Sequence, residues 1–356
     1  MKKIITIVGA RPQFVKAATL SRQFQLFGIE EKIVHTGQHF DTNMSDVFFR
    51  EMEIPLPHYN LDIHGVSHGA MTGRMLEEIE NILMNEKPDN VLVYGDTNST
   101  LAGALAASKL HIPIVHVEAG LRSFNMKMPE EINRILTDRV SSLLLCPTDA
   151  ATKNLKQEGF DNFNIKIVKN GDVMQDAAIF YSQKAENESK ILQKISVEKY
   201  VLATIHRQEN TDNIKNLTAI VDALNKISTH TCVVVPLHPR TRNILKERNL
   251  PISFQIIDPV GYFDMIMLLK HCEMVITDSG GVQKEAFFFK KNCITMRDET
   301  EWVELVENGY NVIAGSNKEK IVAAFHKGLS KVSDFSLNLY GNGKASENAV
   351  KEIIAL

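Results

Sequence analysis

Seven short apolar runs in this 356-residue chain end on residues that can hold charge or move protons. Arg11 follows the run Lys3–Val8, Asp96 the run ending at Gly95, and Glu118 the run Ile114–Val117. In the second half His206 follows 201–205, His238 follows 233–237, Asp278 follows Met274–Thr277, and Arg297 follows 294–296. Carboxylates crowded into one cleft push each other's pKa values apart, which sets a general acid beside a general base. Asp96, Glu118 and Glu130 could form such a set. The segment Pro129-Glu130-Glu131-Ile132-Asn133-Arg134 puts Glu130 and Arg134 four apart, on one helix face. Read alone, that spacing describes an ordinary surface ion pair.

Two segments could hold an anion. Asp278-Ser279-Gly280-Gly281 opens a helix-like run, 282–290. Glycines at a helix N-terminus let backbone amides approach a phosphate, and the helix dipole favours the charge. Glu285, one turn on, is placed to accept from ribose hydroxyls, although a plain tight turn with a solvated Glu fits the motif equally well. Gly9-Ala10-Arg11-Pro12 with Lys16 is the second segment, and a surface Arg and Lys account for it as readily. It is neither a Walker A loop nor a G-x-G-x-x-G fingerprint, so no nicotinamide or ATP cofactor is expected. His35 with His39, and His64 with His68, lie four apart, but the first pair begins at a strand end and the second spans Gly65. No metal is expected.

The runs must be held by elements that alternate, strand then helix, along the whole chain. That pattern predicts α/β architecture with mainly parallel sheets. The expected strands are Lys3–Val8, 32–35, Asn90–Tyr94, 112–117, 142–146 and 165–168, then 200–205, 231–236, 254–257, 274–276 and 292–296. In open parallel sheets ligands bind beyond the carboxyl ends of the strands. Polar residues at those ends in both halves point to two sheets facing each other across one cleft. The length also exceeds what one core fills. A boundary is expected near Lys169-Asn170-Gly171-Asp172, giving domains 1–170 and 171–342, with a last helix at Ala345–Ile354.

The net charge of −3 gives no reason to expect nucleic acid or a membrane surface as partner. After Met1-Lys2-Lys3 the apolar run is too short for a signal peptide and reads as a first strand. No stretch is long and apolar enough to span a membrane, so a cytoplasmic location is expected. The four cysteines are scattered without a C-x-x-C pair, as for buried reduced thiols.

Taken together, the motifs resemble the non-hydrolysing UDP-N-acetylglucosamine 2-epimerases. The resemblance rests on Gly9-Ala10-Arg11-Pro12 with Lys16, Tyr94-Gly95-Asp96-Thr97, His116-Val117-Glu118-Ala119-Gly120-Leu121-Arg122, and Pro129 to Arg134. It continues through His206-Arg207-Gln208-Glu209-Asn210, Pro236-Leu237-His238-Pro239, Thr277 to Glu285, and Met296-Arg297-Asp298, in the family's order and over nearly the whole chain. It implies a GT-B-like pair of Rossmann-like domains, with the last helix, about 343–356, returning to the first. It also implies interconversion of UDP-GlcNAc and UDP-ManNAc for cell-surface polysaccharide precursors. UDP would be eliminated to a 2-acetamidoglucal and then re-added, with no redox cofactor.

By the family's motifs, Asp96, Glu118, Glu130 and His206 would serve proton transfer and stabilise the intermediate. Arg11, His238 and the turn at Ser279, Gly280 and Gly281 would hold the diphosphate and Glu285 the ribose, while Lys16 and Arg134 complete the charged cleft. A homodimer is the family expectation. The chain departs at Thr300-Glu301-Trp302-Val303-Glu304, where the family often has Thr-Glu-Arg-Pro-Glu, and at Phe40-Asp41-Thr42-Asn43, where it frequently has Arg-x-Met-Leu, a region that with neighbouring residues binds an activating second UDP-sugar in several bacterial members. The opening Gly-Ala-Arg-Pro-Gln-Phe and Trp302 resemble a subgroup acting on modified UDP-2-acetamido sugars, such as a 2,3-diacetamido uronic acid. A hydrolysing epimerase and a GT-B glycosyltransferase are the other readings. The dense set of acids and His speaks against simple group transfer.

Overall fold

A computed structural model describes residues 2–38 and 54–356. The strands are short and apolar, and most are buried on both faces, as parallel strands between helix layers must be. In chain order they are β1 (Lys3–Val8), β2 (Glu30–His35), β3 (Tyr59–Asn60), β4 (Asn90–Tyr94), β5 (Ile114–Val117), β6 (Leu143–Cys146) and β7 (Lys166–Lys169). There follow β8 (Tyr200–Thr204), β9 (Cys232–Pro236), β10 (Gln255–Ile257), β11 (Met274–Thr277), β12 (Cys293–Thr295) and β13 (Asn311–Ile313).

They form two parallel sheets, one ordered β3-β2-β1-β4-β5-β6-β7 and the other β10-β9-β8-β11-β12-β13. Strand order reverses between β1 and β4 in the first sheet and between β8 and β11 in the second. Such switch points open a crevice beyond the strand ends. The expected α/β class with two Rossmann-like sheets is what the chain adopts. Strands β3 and β13 are additional to those expected: at two and three residues they are too short to show a periodicity.

The chain divides into two compact units, Met1–Ile179 with Asn338–Leu356, and Phe180–Leu337. The division falls inside the helix Val173–Glu188. In the first unit Ile5, Ile7, Val91 and Val93 pack with Met75, Ile79 and Leu83 of the helix His68–Glu86 and with the alanines of the helix Asn98–Lys109. Small residues let that second helix sit close on the sheet: a Cβ at Gly103 would lie 3.0 Å from the Ile7 side chain. The helix begins directly after Asp96-Thr97, so its burial anchors that turn. In the second unit Val201, Ala203, Val233, Val235 and Ile276 pack against the apolar face of the helix Ile214–Ser228.

The last helix, Ala345–Ile354, packs on the helix Arg11–Phe27 of the first unit, which is the return expected of it. Lys2 Nζ donates to Ile353 O at 2.7 Å, and the Asp176 carboxylate caps the helix by accepting from the amides of Ala345 and Ser346. The returning strand of chain passes so close that a Cβ on Gly171, at φ +93°, would lie 2.6 Å from Tyr340 O. Only glycine suits that position.

A pH prediction arises at β2. Burial pushes the Glu31 carboxyl up to about 7, opposed by the Ser21 and Thr6 hydroxyls; Thr6 Oγ1 donates to Glu31 Oε1 at 2.6 Å. An acid whose folded pKa is raised leaves stability intact below its unfolded value, and stability is lost as pH rises through about 7. Glu31→Gln is expected to be more stable than the parent at pH 8 by up to about 3 kcal/mol, and equal to it near pH 4. Urea denaturation at the two pH values measures the difference.

Candidate active site

The two turns at the switch point of the first sheet are tied together by a residue that sequence reading passed over. Gln13 is buried in the first turn of the helix Arg11–Phe27. Its Oε1 accepts from the amides of Gly9 at 2.8 Å and Ala10 at 3.0 Å. Its Nε2 donates to Tyr94 O at 2.8 Å and to the hydroxyls of Thr97 and Thr100 at 3.0 and 2.9 Å. One amide thus satisfies the turn after β1 and the turn after β4 together. Arg11 opens the helix, and its side chain lies outside the described residues. Lys16, one turn on, is buried, and its Nζ meets Glu118 Oε1 at 2.5 Å. Between these turns sits Gly95, at φ +61°. A Cβ there would stand 3.3 Å from Lys16 Nζ and 3.4 Å from Glu118 Oε1.

Glu118 itself has φ +71°. A non-glycine residue in the left-handed region costs of order 1–3 kcal/mol and persists only where its surroundings hold it. Here the amides of Glu118 and Ala119 both donate to Leu145 O at 3.1 Å. Asp96 is part-exposed and pairs with Arg134, while its carbonyl accepts from Asn133 Nδ2 at 2.9 Å. The helix Pro129–Val140 therefore supports the Asp96 turn with two consecutive residues.

The four-residue spacing of Glu130 and Arg134 does not produce the pair. Arg134 Nη1 bonds Glu131 Oε2 at 2.8 Å, three residues back, and Glu130 stands exposed in the first turn. The reason is local. Glu131 is fully buried and accepts from the amides of Ser123 and Phe124, both at 2.9 Å, so the preceding loop wraps its carboxylate and turns it towards Arg134. A Glu three residues after the helix N-cap, reaching back to loop amides, is a capping signal present in the sequence. The structure thus brings Lys16, Asp96, Glu118 and Arg134 to neighbouring turns and leaves Glu130 at the surface.

In the second unit the same logic repeats after β8 and β11. Asp278 is fully buried and accepts from the amides of His206 and Arg207 at 3.1 Å and from Asn210 Nδ2 at 3.1 Å. His206 Nδ1 lies 3.0 Å from its Oδ1, and half of the His206 side chain is exposed. Burial pushes the Asp278 carboxyl up, but the bond and charge of His206, with Asn210 and the Arg207 amide, bring it below its ordinary value. A carboxylate on Nδ1 fixes the ring and leaves Nε2 as the working nitrogen.

Ser279 caps the helix Gly280–Phe288, its Oγ accepting from Val282 N. The amides of Gly280 and Gly281 have no partner among the described residues, which suits an anion at that terminus. Glu285 is buried in the same helix. His238 is exposed and caps the helix Pro239–Glu247, its Nδ1 accepting from Arg240 N at 3.3 Å. Arg297 is buried and pairs with Glu301 at 2.9 Å.

His35 stacks on Phe14 and meets Asn60, and His39 lies outside the described residues, as do Phe40 to Asn43. His64 meets Asp62, and His68 meets Asn98. The four cysteines are free thiols. No helix among the described residues is long and apolar enough to cross a membrane.

The family model for UDP-N-acetylglucosamine 2-epimerase matches residues 24–354. The chain belongs to that family. A UDP-2,3-diacetamido-2,3-dideoxy-D-glucuronate 2-epimerase from Pseudomonas aeruginosa is 57% identical over 99% of this chain and all of its own. The epimerase from Methanocaldococcus jannaschii, solved with UDP-GlcNAc and UDP, superposes with a TM-score of 0.92 at 44% identity over the whole of both chains. That from Neisseria meningitidis, bound to UDP-GlcNAc, gives 0.88 at 28% identity, covering 99% of this chain and all of that one. Relatives across this range are 2-epimerases of UDP-sugars, and the chain is accordingly an isomerase of the epimerase class. Within this epimerase, Trp302 is buried and carries Lys284 Nζ 4.3 Å above its ring, a cation–π contact between the strand-end loop and the Gly280–Phe288 helix.

Proposed function

We propose that the chain inverts C2 of a UDP-2-acetamido sugar by eliminating UDP and adding it back. A base takes the C2 proton, and the C1–O bond breaks with its electron pair leaving on UDP. The C1=C2 double bond of a 2-acetamidoglucal remains. In the return step UDP re-forms the C1–O bond, and C2 takes a proton on the opposite face. Atoms and electrons balance without an oxidant, so the chemistry calls for an acid, a base and groups that hold a diphosphate.

The observation that carries this reading is the convergence of Asp96 and Glu118 on adjoining turns, each engaged by a buried cation, Arg134 and Lys16. Two carboxylates with separate cations are suited to separate proton transfers. Within the second unit, the N-terminal amides of Gly280 and Gly281 with His238 are the groups to hold the diphosphate, Glu285 serves the ribose, and the Asp278-oriented His206 serves proton transfer and the intermediate. Glu130 remains in this reading as a group that reaches the sugar from the exposed first turn of its helix.

For the sugar, 57% identity over the full chain favours a 2,3-diacetamido uronic acid, and the relatives near 44% favour UDP-GlcNAc as the second reading. A homodimer in the cytoplasm, supplying polysaccharide precursors, completes the proposal. Ile132 and Leu136, exposed one turn apart on the Pro129–Val140 helix, give it an apolar stripe to cover. Steady-state kinetics with the two UDP-sugars test the assignment: kcat/KM is expected to be higher for UDP-2,3-diacetamido-2,3-dideoxy-D-glucuronate, and the reverse order assigns UDP-GlcNAc.

A further inference from the structure

Beneath the two acid-bearing turns lies a charged network whose inner members, His116, Asp138 and Arg122, are buried and whose outer member, Glu158, is part-exposed. His116, in the middle of β5, is 0% exposed, as is Asp138 on the helix Pro129–Val140. His116 Nδ1 is 2.7 Å from Asp138 Oδ1, and His116 Nε2 is 2.7 Å from Gly95 O. Asp138 Oδ2 accepts from Gly120 N at 3.2 Å and from Arg122 Nη1 at 2.7 Å, and Arg122 is held in turn by Glu158 through Nε at 2.6 Å and Nη2 at 2.8 Å.

The hydrogen positions follow from the partners. A backbone carbonyl only accepts, so Nε2 carries a hydrogen. Burial pushes the Asp138 carboxyl up, but His116 and Arg122 overcome this and keep it below the ordinary carboxylate value. Facing a carboxylate, Nδ1 donates as well.

Stability does not account for such an arrangement. A buried ion pair gives up so much hydration that an apolar replacement of similar volume is often neutral or stabilising. What the network does is geometric. Through His116 it reaches Gly95 O, in the peptide adjoining Asp96, and through Asp138 it reaches Gly120 N, two residues after Glu118. Both turns have a residue in the left-handed region, Gly95 at φ +61° and Glu118 at φ +71°, and such conformations need outside support.

We propose that His116 is a positioning residue: its ring, hydrogen-bearing on both nitrogens, is a strut that fixes the Asp96 turn against the Glu118 turn so that both carboxylates address the same sugar. The catalytic half of this statement rests on the epimerase reading above, and the structural half does not. A misplacement of about 1 Å at a reacting group can cost on the order of 100-fold in rate.

His116→Gln tests it, since one amide cannot serve both Asp138 and Gly95 O in the ring's geometry. The variant is expected to keep UDP affinity and KM while kcat and C2 proton exchange fall on the order of 100-fold, the split that separates positioning from binding. A folded variant with kcat near the parent's overturns the proposal, as does a KM defect with kcat intact. Histidine-selective ¹⁵N NMR of the unmutated protein supplies a readout that needs neither substrate nor a foldable variant. It is expected to show one histidine with hydrogens on both nitrogens and slow exchange with solvent. A His116 lacking the Nε2 hydrogen overturns the strut whatever the variant does. If the unmutated protein exchanges no C2 proton on any UDP-2-acetamido sugar while the NMR signature is present, the functional reading fails and the strut stands.

Discussion

Asp96→Asn and Glu118→Gln proteins are expected to fold, to bind UDP, and to lose at least ~100-fold in turnover, the usual scale for a general acid or base. The two substitutions remove a carboxylate proposed to transfer a proton without removing the atoms that hold the turns. Asn at 96 keeps its backbone carbonyl on Asn133, and Gln at 118 keeps its amide on Leu145 O. Each leaves its cation, Arg134 or Lys16, less well paired. Thermal midpoints are therefore expected to fall modestly while rates fall steeply. Rates are read from UDP-sugar epimerisation, affinity from UDP calorimetry, and folding from circular dichroism. Turnover close to the parent's in both variants removes these acids from the chemistry.

Asp278→Ala is expected to fail differently, through the fold of the turn proposed to hold the nucleotide. Its buried carboxylate gathers two backbone amides, the Asn210 side chain and His206. Deleting it strands these donors, at a cost of about 3 kcal/mol or more, as for other buried charged groups whose partner is removed. The pH dependence has a definite sign. A carboxyl held below its ordinary value contributes stability above its unfolded pKa, and that contribution is lost as pH falls through the lower folded value. The stability gap between parent and Asp278→Ala is thus expected to be full at neutral pH and to close on acidification below the ordinary carboxylate range. Urea titrations at several pH values show it, and a gap that widens in acid contradicts the assignment.

Much of this was legible in the residues. Apolar runs of three to six residues ending on charged side chains gave the parallel sheets, because the ends of buried strands are where such chains can reach solvent. The glycine pair after Asp278 announced a helix start with open amides. What the residues did not give was partner choice. Glu130 and Glu131 are adjacent, and helical spacing prefers the first for Arg134. Only the loop amides of Ser123 and Phe124, which take the second carboxylate out of solvent, decide between them. Gln13 reads as an ordinary polar residue until β1 and β4 are seen as neighbours, since the partners of its Nε2 are more than eighty residues away in sequence. His116 likewise lies within an apolar strand, and its value comes from Asp138 and Gly95, which only the sheet order brings to it.

The most direct test is proton NMR of the purified protein with UDP-2,3-diacetamido-2,3-dideoxy-D-glucuronate, and in parallel with UDP-GlcNAc, in deuterated water. Elimination and re-addition predict a new anomeric signal for the C2 epimer, deuterium at C2 of that product, and no accumulation of free sugar. An epimer that retains its C2 hydrogen, or UDP released together with free sugar, contradicts the proposed reaction.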